Sequence, residues 1–152
     1  ISVGRLDMDS EGLILLTNDG DLARKLELPA TGWLRKYRVR VHGYVVPKAL
    51  APLKNGIIID GIRYGRIDAA LDRQQGSNAW LTLSFREGKN REVRKVMNHL
   101  GYNVNRLIRI SFGPFILKNL PSGELEEVKN KVLNDQLGLS KLKNLKQNKN
   151  RK

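Results

Sequence analysis

Asp7, Asp9 and Glu11 alternate along Asp7-Met8-Asp9-Ser10-Glu11-Gly12, and such a run of carboxylates has three readings. Acids at positions one, three and five, with Gly at six and Ile14 at eight, imitate the start of a calcium loop. That reading fails twice: position twelve is Asn18 where a bidentate Glu is needed, and the residues from Leu13 read as a strand where a helix should flank the loop. A solvated acidic turn accounts for Ser10 and Gly12, which suit tight backbone. It leaves Arg5 and Asp7 unexplained, two residues apart at the mouth of a strand. The chain carries 28 Lys+Arg against 15 Asp+Glu, a formal net charge of +13. On a surface that attracts phosphates an acid repels the ligand unless it has a task, which marks Asp7 as the candidate reactive carboxylate.

The charge itself points to a polyanionic partner, nucleic acid first. Residues 141–152 hold six Lys/Arg and no acid, yet removing them leaves +7 on the other 140 residues, so the body is basic too. There is no run of about 18 apolar residues, and no membrane association is expected. The first apolar stretch is broken at Arg5, Asp7, Asp9 and Glu11, which is not the pattern of a signal peptide. The absence of cysteine fits a cytoplasmic protein, and with His42 and His99 as the sole histidines no zinc site is expected.

The elements that must position Asp7 are legible from periodicity. Ile1-Ser2-Val3 reads as a strand entering Gly4-Arg5-Leu6-Asp7, and the abrupt start without Met reads as an N-terminal truncation. Leu13 to Thr17 reads as a buried strand, and residues 21–28 as a helix with Leu22, Ala23 and Leu26 on one face. Alternation predicts strands over 37–44, 64–71, 79–85 and 104–112, with shorter ones at 57–59 and 115–117. In the 104–112 strand, Ile108, Ile110 and Phe112 share one face, with Leu107, Arg109 and Ser111 on the other. Pro47 opens a short helix through Leu53. Val93, Val96, Met97 and Leu100 fall at helical spacing, giving a helix over 90–100 capped by Asn90 and ended by Gly101. A last helix is predicted over 124–133. The class is therefore α+β: a largely antiparallel mixed sheet with a few flanking helices, residues 1–137 forming one domain and 138–152 a basic, disordered tail.

Three blocks then resemble one family. Residues 4–20, Gly-Arg-Leu-Asp-Met-Asp-Ser-Glu-Gly-Leu-Ile-Leu-Leu-Thr-Asn-Asp-Gly, resemble the catalytic signature of the RsuA-type bacterial pseudouridine synthases, which isomerise selected uridines in ribosomal RNA. Lys36-Tyr37-Arg38-Val39 is similar to the family's tyrosine motif. Residues 86–97, Arg-Glu-Gly-Lys-Asn-Arg-Glu-Val-Arg-Lys-Val-Met, are similar to its basic helix motif, and Arg106-Leu107-Ile108-Arg109-Ile110 follows in the family's order. The resemblance covers about residues 3–128 and implies the pseudouridine synthase catalytic-domain fold, N-terminally truncated.

The resemblance also implies roles. Asp7 is the essential carboxylate, as nucleophile at C1′ or as a base. It must be ionised, and because burial disfavours a charged carboxyl, a cation has to stand beside it. The family places an arginine at Arg94 for this, and an Arg–carboxylate pair can be bidentate. Tyr37 stacks on the flipped uracil; Arg35 stands where the family usually has Lys. Arg5, Lys89, Asn90, Arg91, Lys95, Arg106 and Arg109 line the RNA approach. Trp33 and Trp80 read as packing residues before stacking platforms. The isomerisation needs no cofactor and no metal. The expected protein is a monomeric, cytoplasmic enzyme acting on ribosomal RNA, with 23S rRNA favoured by the wording of residues 91–94 and the basic tail. The alternative from another class is a non-catalytic rRNA-binding or ribosome-associated domain that keeps an acidic turn.

Overall fold

The computed structural model describes residues 1–28 and 32–129, with a compact unit over Ile1–Lys118. Its centre is an antiparallel sheet in the order β10 (Phe115–Ile116), β9 (Asn103–Phe112), β4 (Arg35–His42), β8 (Asn78–Phe85) and β7 (Asp68–Gln75). A two-residue strand β2 (Glu11–Gly12) adds in parallel to β9, pairing Gly12 with Arg109. Two small pairs complete the strands: β1 (Ser2–Val3) with β3 (Leu15–Leu16), and β5 (Ile57–Ile59) with β6 (Ile62–Tyr64). The expected α+β class with an antiparallel-dominated sheet is what is found.

One sheet face is packed and the other faces solvent, as strict alternation demands. Val39, Val41, Ala79, Leu81, Leu83 and Phe85 point inward. Against them lie Val93, Val96 and Met97 of α3 (Glu92–His99), Leu50 of α2 (Pro47–Leu50), Leu53 of the 3-10 turn Ala51–Asn55, and Tyr64 and Ile67. On the opposite face Trp80 lies beneath Arg38 and Arg40, whose guanidinium carbons are 5.1 and 5.7 Å from its ring centre. Trp33 packs on Phe112 and Phe115. Helix α1 (Gly20–Glu27) is capped by the Asp19 carboxylate, which accepts from the backbone N–H groups of Asp21 and Leu22, and it buries Ala23 and Leu26.

Several local expectations are corrected. Leu13 to Thr17 is not one buried strand: only Leu15–Leu16 is strand (β3), Leu13 and Ile14 link it to β2, and Ile14 and Leu16 are exposed. The strand expected over 64–71 breaks after Tyr64, because the Gly65 N–H donates to Glu87 and the Ile67 N–H to the Leu53 carbonyl instead of to a ladder. Asn90 does not cap α3. The helix begins at Glu92, the cap position is Arg91 in the left-handed region (φ 51°), and no side chain caps it. Its C-terminus is as expected, with Gly101 left-handed, the Gly101 N–H donating to Asn98 and the Tyr102 N–H to Met97. Residues 124–129 are not helical and are exposed throughout, Leu125 and Val128 included. The remainder of that predicted helix and the tail over 138–152 lie outside the described residues.

Candidate active site

A cleft of about 340 Å³ opens on the packed face of the sheet, at the end where β4, β8 and β9 meet. That volume lies within the range of small-molecule sites, roughly 300–1,000 Å³. Arg35 and Tyr37 of β4, Phe85 of β8, and Leu107, Arg109 and Phe112 of β9 form its floor. One wall is the segment 3–10, carrying Arg5 and Asp7; the other is residues 88–93, carrying Lys89, Asn90, Arg91 and Glu92. Tyr37 lies flat on Phe85, ring centres 5.4 Å apart and planes 8° from parallel.

The Asp7 wall is tied at both ends. The Gly4 N–H donates to Glu27 of α1 at 2.7 Å, and the Ser10 N–H closes a turn onto the Asp7 carbonyl at 2.9 Å. At the far end Gly12, with φ 108°, lies so close to β9 that a Cβ there would be 2.3 Å from the Arg109 carbonyl oxygen. Next to it the Leu13 N–H donates to that carbonyl, and Arg109 Nε donates back to the Leu13 carbonyl, both at 2.9 Å. Glycine is required at position 12 by both conformation and space.

The alternating acids meet a set of arginines. Arg91 Nη1 is 3.6 Å from Asp7 Oδ2, and the same guanidinium grips Asp9 with two hydrogen bonds of 3.1 and 3.0 Å. Arg94 donates to the Asp9 carbonyl at 2.6 Å and stands 3.4 Å from its carboxylate. Arg106 holds Glu11 with two hydrogen bonds of 2.9 and 3.1 Å. The hydrogen bond from Arg91 holds the Asp9 carboxyl below its ordinary value, and Arg106 does the same for Glu11. In return Arg91 and Arg106 are pushed up. Lys89 is raised by its bond to Glu87 at 2.7 Å.

The cleft thus brings together Asp7, Tyr37, Arg5, Lys89, Asn90, Arg91 and Arg109 of the expected residues. Arg94 is not among its lining residues, and the pairing expected between Arg94 and Asp7 is corrected. Arg91 is the cation at Asp7, while Arg94 lies behind Asp9. The reason is the left-handed backbone at Arg91, which moves the cap one residue on from Asn90 and leaves the Arg91 side chain at Asp7. Lys95 is exposed on α3, and Arg106 is engaged with Glu11; neither lines the cleft. Arg109 is not a solvated phosphate contact: it is 4% exposed and bound to Leu13, on the inward face that also holds Leu107. Arg35 lies over the Phe112 ring at 5.0 Å, and burial pushes its guanidinium down. Reading the sequence missed Phe85, Asp9 and Glu92. The signal for Asp9 was present, since acids two apart on one segment suit arginines three apart on a helix.

The sequence model of a family described as RNA pseudouridylate synthase matches residues 1–99. The chain is 48% identical over 132 residues to an uncharacterized RNA pseudouridine synthase of Rickettsia bellii (strain RML369-C), covering 87% of this chain and 57% of that protein. It is 40% identical over 127 residues to ribosomal large subunit pseudouridine synthase B of Buchnera aphidicola subsp. Schizaphis graminum (strain Sg), covering 82% and 49%. A crystal structure described as a pseudouridylate synthase superposes with a TM-score of 0.77 at 28% identity, over 89% of this chain and 58% of that one. The chain spans about half the length of the curated relatives it matches.

Proposed function

Because the chain belongs to the RNA pseudouridylate synthase family, of the RsuA type read from its sequence blocks, we propose that it is the catalytic part of an enzyme that converts a uridine of ribosomal RNA to pseudouridine. The observation that carries this is a carboxylate, Asp7, at the wall of a nucleotide-sized cleft, with the Arg91 guanidinium beside it and a stacked aromatic pair below.

The reaction breaks the N1–C1′ bond, turns the uracil and forms a C5–C1′ bond; the proton on C5 leaves and N1 ends protonated. Atoms and electrons balance within the nucleotide. The base must leave its helix to reach Asp7, at a cost of a few kcal/mol. Stacking on the Tyr37–Phe85 pair offsets that by about 1–3 kcal/mol. Whether Asp7 acts as nucleophile at C1′ or as base, it needs a fixed orientation and a charge-compensating neighbour, and Arg91 supplies the second. Arg5, Lys89 and Asn90 at the rim suit the flanking phosphates. In this reading the substrate is 23S rRNA, the protein a monomer, and its compartment the cytoplasm, where ribosomal RNA is made.

Release of tritium from rRNA labelled at uridine C5 tests the reading. Asp7→Ala is expected to release none while its RNA affinity stays within about threefold of wild type, since Asp7 contributes no attraction to phosphate. Turnover by Asp7→Ala ends the assignment in favour of a non-catalytic rRNA-binding domain.

A further inference from the structure

Beneath the wall that carries Arg91 lies a carboxyl group that the reaction above does not use. Glu92, the first residue of α3, is 3% exposed, and its Oε2 is buried with no hydrogen-bond donor directed at it. Its Oε1 accepts from the Lys89 N–H at 3.3 Å, and the Glu92 N–H returns a bond to the Lys89 carbonyl at 3.2 Å. Glu87, whose carboxylate accepts from the Gly65 N–H at 2.6 Å and from Lys89 Nζ at 2.7 Å, is within hydrogen-bonding reach of the Glu92 carboxyl. The turn 87–91 is therefore closed over Glu92, and its last residue, Arg91, adopts a left-handed backbone that a side chain of this size avoids unless its surroundings enforce it.

We propose that Glu92 is a positioning residue: seated under the turn 87–91, its carboxyl group pins that turn in the shape that delivers Arg91 to Asp7. This rests on the isomerase reading of the cleft. The pin works uncharged. Two carboxylates in contact repel, whereas a protonated Glu92 donates to Glu87 and still accepts from Lys89. Burial first, and the neighbouring Glu87 charge second, push the Glu92 carboxyl up to about 8. The charged and titratable groups facing it are Glu87 and Lys89 of the turn, Arg35 of β4, and Tyr64 of β6 beneath Lys89. The Lys89 charge opposes the shift and is outweighed by burial and Glu87.

The sign of the consequence is fixed. Between an ordinary 4.5 and about 8 the folded chain holds a proton that the unfolded chain has released, so stability falls as pH rises through that window. Above it Glu92 ionises against Glu87, the turn loosens, and kcat falls with Arg91 drawn off Asp7.

Glu92→Gln and Glu92→Ala in the whole chain test this. Gln copies the protonated acid, accepting from Lys89 and donating to Glu87. It is expected to keep kcat within about threefold of wild type near neutral pH, to move the alkaline limb of kcat upward, and to flatten the decline of the urea midpoint across the window. Ala is expected to lower kcat at least about tenfold with KM within about twofold. A Gln variant as inactive as Ala, or one whose midpoint falls with pH as steeply as wild type, overturns the proposal. The urea measurement needs no turnover. An inactive wild-type chain therefore defeats the isomerase reading while Glu92 is still decided, and an active chain with unchanged Gln profiles defeats the pin alone.

Discussion

Replacing Gly12 by Ala tests whether the contact between β2 and β9 is what holds the Asp7 wall in place. A Cβ at position 12 meets the Arg109 carbonyl oxygen at 2.3 Å and its amide nitrogen at 2.6 Å, and both are backbone atoms of a central strand that cannot move aside. The segment must therefore lift away, breaking the Leu13–Arg109 backbone bond and the bond from the Arg109 guanidinium to the Leu13 carbonyl. The first is worth about 1 kcal/mol and the second, made by a charged donor, about 1.5–3 kcal/mol. With an m-value of about 2 kcal/mol per molar, a loss of about 2.5–4 kcal/mol lowers the urea midpoint by about 1.2–2 M. Lifting the wall displaces Asp7 from Arg91, and a displacement of about 1 Å is enough to cost about a hundredfold in turnover. Gly76→Ala is the control. It has the same left-handed backbone (φ 58°) with open space around it, so it is expected to show only the conformational cost of about 1 kcal/mol. Urea denaturation and tritium release on the three proteins decide the matter. If Gly12→Ala unfolds with the control and turns over like wild type, the reasoning about this wall is wrong.

Two further predictions follow from the arginines. Arg91→Ala is expected to lower kcat at least about a hundredfold, and Arg94→Ala by about tenfold, acting through Asp9; steady-state kinetics in which Arg94→Ala is the worse of the two refutes the assignment of Arg91 to Asp7. For Asp9 and Glu11, whose folded carboxyls are held below the ordinary 3.8 and 4.5 by Arg91 and Arg106, the linked stability is fully present above those ordinary values. It is lost as pH falls below them toward the lower folded ones. Asp9→Asn is thus expected to flatten the acid limb of the midpoint–pH curve, and an unchanged acid limb counts against the pairing.

What was legible in the sequence was whatever local periodicity controls. The strands β4, β8 and β9, the inward run Val93–Val96–Met97 and the Gly101 stop all follow from spacing, as does the apolar floor that Tyr37 joins. The family resemblance put Asp7 at the mouth of that floor, and the cleft is there. Failures arose where one backbone angle or one long-range hydrogen bond decides. A left-handed Arg91 stands at both Asp7 and Asp9 where Arg94 was expected at Asp7, and no propensity anticipates positive φ at an arginine. A bulge in the β4–β9 register between Lys36 and Tyr37 and between Arg40 and Val41 shifts β9 against its neighbour. The alternation holds for Leu107 and Arg109 and fails at Phe112, which past the first irregularity joins them on the buried face instead of staying with Ile108 and Ile110. The break after Tyr64 depends on Glu87, more than twenty residues away.

The ladder Asp7–Asp9–Glu11 against Arg91–Arg94–Arg106 has a consequence for how a polyanion meets this protein. Three negative and three positive groups cancel along this ladder, so it adds no net charge to a chain that carries +13, while Arg5 and Lys89 keep the cleft rim basic. Within a Debye length of about 8–10 Å of the surface an arriving RNA feels the excess positive charge outside this ladder, and farther out that charge is largely screened. Arrival and seating are thus run by different residues. Salt governs how often an RNA is caught; the fit of an extruded base beside a charge-compensated wall governs whether it stays.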